Sequence, residues 1–203
     1  MNSTLSYTQS GVDYARIDPL KVAAQQAAAA TAAQLGAHGC TEVQASRGES
    51  AYVVDVGAFY LASIVECLGS KALVADAMAE LTGRSWYEAI AQDTIAMAVN
   101  DLITVGATPL VVQAYWAAGG SDWFDDGPRA QALVDGWKRA CERCRVAWGG
   151  GETPALAGIV EAGRIDLAAS CTGWVNPKSR LTLGDELGPG DAIVLLASSG
   201  IHA

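Results

Sequence analysis

Four polar side chains between residues 92 and 110 have the spacing and the chemistry to hold a cation together with a phosphate group. Asp93, Asn100, Asp101 and Thr104 occupy positions i, i+7, i+8 and i+11, so one face of a helix would present all four. Carboxylate oxygens suit a hard divalent cation that carries phosphates. The same spacing is also typical of an ordinary solvated helix face, and spacing alone leaves both interpretations open.

The element that must position these side chains is a helix whose other face is apolar. Ser85 is a candidate N-cap, Gly106 is the expected stop, and Pro109 lies just beyond it. The apolar face is predicted to pack on a sheet, and it comprises Ile95, Ala98, Val99, Leu102 and Val105. A strand over residues 110–116 is predicted to follow.

A second candidate site lies at Gly69, Ser70 and Lys71, directly after a predicted strand over residues 61–65. A turn of small residues after a strand brings main-chain N–H groups close to phosphate, and lysine adds a point charge. The P-loop spacing GxxxxGK[ST] is absent. A lone lysine is more often a solvated surface residue, so the motif by itself does not decide between the two roles.

A third candidate site is the run Gly149, Gly150, Gly151, Glu152 and Thr153, which follows a predicted short strand over residues 146–148. Consecutive glycines allow the main chain to approach a ligand and to point several N–H groups at an anion. The glutamate could then hold a divalent cation through oxygen. The alternative is a glycine-rich turn that carries an exposed acid.

Composition restricts the class of partner. With 51% hydrophobic residues, 17% charged residues and a net charge of −9, the chain is globular in type, and nucleic-acid binding is not expected. An anionic substrate therefore needs a local cationic or metal-filled site. No apolar run approaches the roughly 20 residues of a membrane helix, and the N-terminus lacks the order of a signal peptide.

The cysteines indicate a reducing compartment. Five cysteines are an odd number without the density of a disulfide scaffold, which predicts a cytoplasmic protein. Cys141 and Cys144 form a C-x-x-C, but they lie within a helical pattern and have no second pair. Buried helix cysteines are preferred there to zinc or redox chemistry.

The predicted elements combine into an α/β chain of the α+β type, with a mixed sheet covered by helices on one face. The further predicted helices cover residues 19–36, 72–81 and 129–145, and the further predicted strands cover residues 52–59, 166–175 and 192–197. We predict a first domain over residues 1–175, and a linker with the start of a second domain over residues 176–203. The sequence ends inside an active-looking loop, so the remainder of that second domain is expected to be missing.

Taken together, these motifs resemble the N-terminal half of the aminoimidazole ribonucleotide synthetase (phosphoribosylformylglycinamidine cyclo-ligase) family. The superfamily also includes selenophosphate synthetase and thiamine-monophosphate kinase. The segments that carry the resemblance are SGVD at 10–13, AMAVNDL at 96–102, GA and PL at 106–110, GGET at 150–153, DLA at 166–168 and LASSGIH at 196–202.

The resemblance implies a homodimer in which two N-terminal sheets close a β-barrel, a cleft for ATP and a ribonucleotide, and Mg²⁺ across the phosphates. In the implied reaction ATP phosphorylates a formyl amide oxygen, an amidine nitrogen attacks that carbon, and phosphate leaves. The implied catalytic residues are Lys71, Asp101 and His202, and the implied metal ligands are Asp101, Glu152 and Glu66. The implied ATP-binding residues are Gly69, Ser70, Asp93, Asn100, Gly149, Gly150, Gly151 and Thr153.

The chain departs from the family pattern at several positions. Where the family has Thr-Asp-Gly-Val-Gly-Thr-Lys, this chain places Glu66 and Cys67 at the aspartate and the following glycine. An Asp-Tyr-Tyr of the family is here Ala114-Tyr115-Trp116, and the serine after the last histidine is Ala203. Three hypotheses therefore stay open: the cyclo-ligase itself, a paralogue that transfers phosphate to another small molecule, and a non-catalytic dimer partner.

Overall fold

The computed structural model describes residues 11–197. Contacts divide the chain into two units, and the boundary falls between Glu42 and Val43. The first unit contains helix α1 (Tyr14–Thr31), a 3₁₀ helix (Ala32–His38) and a two-residue strand β1 (Thr41–Glu42). The predicted start of α1 near Pro19 is wrong. The Asp13 carboxylate accepts from the Ala15 N–H at 3.1 Å and caps the helix five residues earlier.

Within residues 43–197 the second unit contains five strands and three α-helices, besides short 3₁₀ helices at Gln44–Ser46, Ser121–Asp125 and Lys178–Arg180. The strands and α-helices are β2 (Tyr52–Asp55), β3 (Tyr60–Cys67), α2 (Lys71–Thr82), α3 (Tyr87–Thr104), β4 (Thr108–Ala118), α4 (Gly127–Cys144), β5 (Ala147–Glu152) and β6 (Ile165–Val175). The strands lie in the order β2-β3-β6-β4-β5. The β4–β5 pair is parallel and the other pairs are antiparallel. The sheet is therefore mixed and open, which confirms the predicted α+β class.

Helix α3 packs its predicted apolar face on the sheet. Four of the five predicted residues, Ile95, Ala98, Leu102 and Val105, have no exposed surface, and Val99 is also buried. The helix ends as expected at Gly106, whose φ is +79°. A Cβ at Gly106 would lie 1.9 Å from the Arg180 carbonyl oxygen, so both the conformation and the space require glycine.

Helix α4 packs behind α3. Asp126 caps it by accepting from the Arg129 N–H at 3.1 Å. The buried face of α4 includes Leu133, Trp137, Ala140 and Cys141. Trp137 contacts Trp116 of β4 edge-to-face, with 5.3 Å between ring centroids. The sheet, α3 and α4 thus share one core.

The predicted buried strand over residues 192–197 is wrong. The segment has no regular secondary structure, and its apolar side chains Ile193, Val194, Leu195 and Leu196 are 78–89% exposed. An apolar run forms a stable strand only where its backbone is paired and its side chains are covered, and no strand within residues 11–197 pairs with it. The predicted domain boundary after residue 175 stays a prediction.

No helix among residues 11–197 combines the length and the hydropathy that crossing a bilayer requires.

Candidate functional site

A cleft of about 360 Å³ opens where the end of β3 and the start of α2 face α3. Five residues that the sequence singled out line it together: Glu66, Lys71, Asp93, Asn100 and Asp101. They come from separate stretches of the chain, so the fold itself brings them to one place. The cleft is the strongest candidate for a functional site in the described part of the chain.

Three lining residues were absent from the predicted site, and two of them had a clear signal in the sequence. Ala96 and Met97 line the cleft and lie one turn after Asp93 on the same face of α3, at i+3 and i+4. Helix geometry places this apolar pair, which lies between Asp93 and Asn100 in the chain, on the same wall as the polar residues. The third residue, Cys67, stands where the family pattern has a glycine.

Lys71 is the cationic group of the cleft. Its Nζ lies 2.7 Å from an Asp93 carboxylate oxygen, and its side chain is only 19% exposed. Lys71 is also the first residue of α2, whose N-cap residue Ser70 makes no side-chain capping hydrogen bond. An uncapped helix N-terminus favours anions, because its free N–H groups carry partial positive charge. The arrangement suits a phosphate that competes with Asp93 for Lys71.

Two carboxylates of the cleft, those of Glu66 on β3 and Asp101 on α3, lie in contact. Burial first, then the negative charge of Asp101 and a hydrogen bond with it, raise the pKa of Glu66 above its ordinary value. Two carboxylates in contact are stabilised either by a shared proton or by a cation. The pair therefore fits a hard divalent cation in its donor chemistry.

Mg²⁺ fits this donor set because proteins usually hold it through one or two carboxylates, with phosphate oxygens and water completing the shell. Among residues 11–197, no group of three or more Asp, Glu, His or Cys side chains is arranged to hold a metal ion by itself. Glu66 and Asp101 would accordingly need the oxygens of a bound phosphate to complete the coordination.

The raised pKa of Glu66 predicts a pH-dependent gain in stability for Glu66→Gln. The folded chain holds this proton to a higher pH than the unfolded chain, so ionisation at neutral pH disfavours folding. Below about pH 4 glutamate is protonated in both states, and the variant should match the parent. At pH 7 we expect Glu66→Gln to be more stable by about 0.5–1 kcal/mol.

Urea unfolding of both proteins at acidic and neutral pH measures this difference. A gap of the same size at both pH values would contradict the assigned cause, because a packing effect would not depend on ionisation.

The three predicted loop glycines lie in strand β5 rather than in a loop. β5 runs through Glu152, and Gly151 pairs with Ala114 of β4 beside an irregularity in the register. A Cβ at Gly151 would lie 2.1 Å from the Ala114 carbonyl oxygen, and one at Gly149 would lie 2.7 Å from a Val111 methyl group. The close approach of two strands therefore explains Gly149 and Gly151 without a ligand.

The register also shows how far this strand is from the cleft. Glu66 pairs with Ala169, Ala169 pairs with Ala114, and Ala114 pairs with Gly151. These residues form one row across the sheet, and three strand spacings amount to about 14 Å. Glu152 follows Gly151, so it does not line the cleft of its own chain.

The remaining predicted site residues keep their roles as predictions. Glu152 and Thr153 are exposed at the edge of the sheet, and the Thr153 N–H donates to the Glu152 carboxylate at 3.3 Å. Gly69 adopts a φ of +66° in the turn before α2. His202 lies outside the described residues.

Comparison with known proteins identifies the family to which the chain is similar. Residues 48–175 match the model of "AIR synthase related protein, N-terminal domain". Similar curated proteins named phosphoribosylformylglycinamidine cyclo-ligase occur in Methanothermobacter thermautotrophicus and Methanobrevibacter smithii. The first is 36% identical over 80% of this chain and 44% of its own length. The second is 30% identical over 98% of this chain and 53% of its own length.

The chain thus spans about half the length of the curated relatives it matches. A solved structure of the hydrogenase maturation protein HypE in complex with ATP is similar with a TM-score of 0.49 and 17% identity, over 64% of this chain and 34% of that one.

Proposed function

Because the chain belongs to the family of AIR synthase related proteins, whose N-terminal domain its residues 48–175 match, we propose that it is the ATP-binding part of a phosphoribosylformylglycinamidine cyclo-ligase of purine biosynthesis. The curated relatives carry that name. The observation that carries the proposal is the cleft that Lys71 lines together with the carboxylate pair of Glu66 and Asp101.

Lys71 and the start of α2 provide the phosphate-binding side of the cleft. Gly69 and Ser70 leave the first N–H groups of α2 free to donate to phosphate oxygens. Lys71, which Asp93 now holds at 2.7 Å, would exchange that partner for a phosphate. Because Asp93 keeps the ammonium in place before the nucleotide arrives, little side-chain entropy is lost on binding.

Glu66 and Asp101 provide the cation-binding side, with the Asn100 amide beside them. They would hold Mg²⁺ that arrives with the nucleotide, and the ion would neutralise charge on the phosphates during transfer. A cation held between the two carboxylates would lower the pKa of Glu66, since a nearby positive charge favours the ionised carboxylate.

The glycine-rich segment and the final histidine complete the proposal. Gly149, Gly150, Gly151 and Thr153 would contact ATP, Glu152 would bind metal, and His202 would lie where nucleotide and ribonucleotide meet. These assignments are supported by the family motif alone. The distance of about 14 Å between the strands means that Glu152 would need a ligand long enough to extend across the sheet, or a second subunit.

We also propose that the chain forms a homodimer through the sheet face that α3 leaves uncovered. That face carries exposed apolar side chains: Leu61, Val65, Leu110 and Trp174 are 37–68% exposed. Phe59 packs edge-to-face on Trp174. Contiguous exposed apolar side chains of this kind are typical of an interaction surface. A second copy of the same face would cover them.

Val65→Asp should shift a dimer towards monomer, because it places a charge at the most exposed apolar position of this face. Sedimentation velocity of the parent chain and the variant over a range of concentrations measures the shift. A parent chain that stays monomeric at all concentrations would contradict the homodimer.

Two measurements test the proposed activity. Calorimetry with ATP and Mg²⁺ should show binding, and the absence of any heat would contradict every enzymatic function for this cleft. A turnover assay of the full-length protein with formylglycinamidine ribonucleotide then tests the acceptor.

A second candidate function is phosphate transfer to another small molecule. The observation that favours it is Cys67, which lines the cleft where the family pattern has glycine, next to the longer Glu66. Binding of ATP without turnover of formylglycinamidine ribonucleotide would support this candidate over the first.

A further inference from the structure

A second cavity, of about 510 Å³, lies at the other end of α2. The end of α2, the starts of α3 and α4 and the turn before β6 enclose it, and it shares no lining residue with the cleft. The 12 residues of α2 separate the two by about 18 Å along the helix. It is therefore a separate site from the one described above.

Three arginines from three different elements line this cavity: Arg84, Arg129 and Arg164. The chain has only 13 lysines and arginines against 22 acids, so three guanidinium groups around one space are a local concentration of cationic side chains, although three acids line the same space. We call this space the arginine cavity. Guanidinium groups are the side chains best suited to phosphate and carboxylate, because they donate in a planar fork.

Contacts that leave part of each guanidinium free hold the arginines in place. Arg129 donates to the Trp123 carbonyl oxygen at 2.9 Å and lies over the Trp123 ring at 4.4 Å from its centroid. Arg84 lies over the Trp86 ring at 3.8 Å. Stacking fixes a guanidinium plane without using its donors, so both groups are pre-organised for an anion.

The acids of the cavity are largely occupied. Asp76 is buried, accepts from the Tyr87 hydroxyl at 2.8 Å, and pairs with Arg164 at 2.8 Å. Asp126 caps α4 and lies 3.6 Å from Arg129 Nε. Glu80 also lines the cavity. Arg84 has no carboxylate partner among the residues that the structure describes, so its positive charge is available to a ligand.

The start of α3 adds to the positive field. Its N-cap position, Trp86, supplies no side-chain acceptor, and Ser85 accepts only from the Tyr87 N–H, at 3.3 Å. The remaining free N–H groups of the first turn favour an anion in front of the helix. Ser85 and Tyr87 both line the cavity.

We propose that the arginine cavity binds a compact oxyanion, the phosphate or carboxylate group of a small metabolite, between Arg84, Arg129 and the start of α3. This site is independent of the ATP cleft and of the function proposed for it. Arg164 and Asp76 are held by their own ion pair. Arg84 makes its charged contact only when the anion is bound.

The test follows the arginine side chains directly. The full chain, labelled with ¹⁵N, is titrated with inorganic phosphate, and in parallel with acetate, at constant ionic strength while the Nε–Hε signals are recorded. We expect saturable shifts with inorganic phosphate if the site takes phosphate groups, and with acetate if it takes carboxylate groups. Arg84→Gln should weaken binding about tenfold, as loss of one charge-assisted contact predicts.

Two variants separate this site from the alternatives. Lys71→Gln removes the cation of the ATP cleft and should leave the titration unchanged. Arg143→Gln removes an arginine that donates to the Gln92 side chain outside the cavity, and it should also have no effect. Absence of saturable shifts with either anion, or loss of binding in Lys71→Gln with retention in Arg84→Gln, would overturn the proposal.

Discussion

Asp101→Asn is expected to weaken binding of ATP with Mg²⁺ by about 100-fold, which corresponds to about 3 kcal/mol. Asp101 lies in the cleft against Glu66, and the two carboxylates together supply the negative charge that a divalent cation needs. Asparagine keeps the shape of the side chain but removes its charge. Glu66 is then the only carboxylate left of the pair that would hold the cation.

Calorimetry in the presence of Mg²⁺ measures the loss, and Asp125→Asn is the matched control. Asp125 is an exposed acid outside the cleft, so the same chemical change there should leave affinity within about twofold, as is usual for surface substitutions. Thermal unfolding of the variant separates a local effect from misfolding. Removal of one of two adjacent carboxylates should not lower the melting temperature. Unchanged affinity in Asp101→Asn would contradict its role in binding the cation.

Helical periodicity in the sequence was sufficient to predict which polar side chains share one face of α3. The spacing of Asp93, Asn100 and Asp101 placed them on one face of α3, and the buried side chains opposite them confirm that orientation. The pattern works because a single helix fixes the relative positions of residues over its whole length. The same periodicity also places Ala96 and Met97 on this face of α3.

Features that depend on contacts between distant segments could not be predicted in the same way. The glycine run at 149–151 predicts a loop, and the sequence does not show that Ala114 and Val111 of a neighbouring strand occupy the space of the missing side chains at 149 and 151. The apolar run at 192–197 predicts a buried strand, although hydrophobicity does not reveal whether a partner strand is present. Both differences in secondary structure concern pairing between strands rather than local preference.

The position of α3 depends on a single glycine in the helix behind it, and this leads to the second large expected effect. Gly136 lies where α4 crosses α3. A Cβ at this position would lie 2.5 Å from the Glu88 carbonyl oxygen, 2.6 Å from the Glu88 Cα and 2.9 Å from the Ala91 Cβ. Two of these three atoms belong to the backbone of α3, so a change of rotamer cannot relieve the overlap.

Gly136→Ala should therefore destabilise the chain by about 2 kcal/mol, which combines an overpacking cost of about 3 kcal/mol with a gain of about 1 kcal/mol in helix propensity. For a chain of this size the melting temperature should fall by about 4–8 °C. Because α3 must move away from α4, Asp93 and Asp101 would move with it. Affinity for ATP with Mg²⁺ should then fall as well, although residue 136 does not line the cleft.

Gly127→Ala is the matched control, because Gly127 is the first residue of the same helix and a Cβ there would meet nothing within 4 Å. Its stability should stay within about 0.5 kcal/mol of the parent chain. Calorimetric unfolding of both variants distinguishes steric overlap from a general response of α4 to alanine. If Gly136→Ala were as stable as the parent, α3 and α4 would lie farther apart than the structure places them, and the wall that carries Asp93, Asn100 and Asp101 would no longer be fixed against the phosphate-binding end of α2.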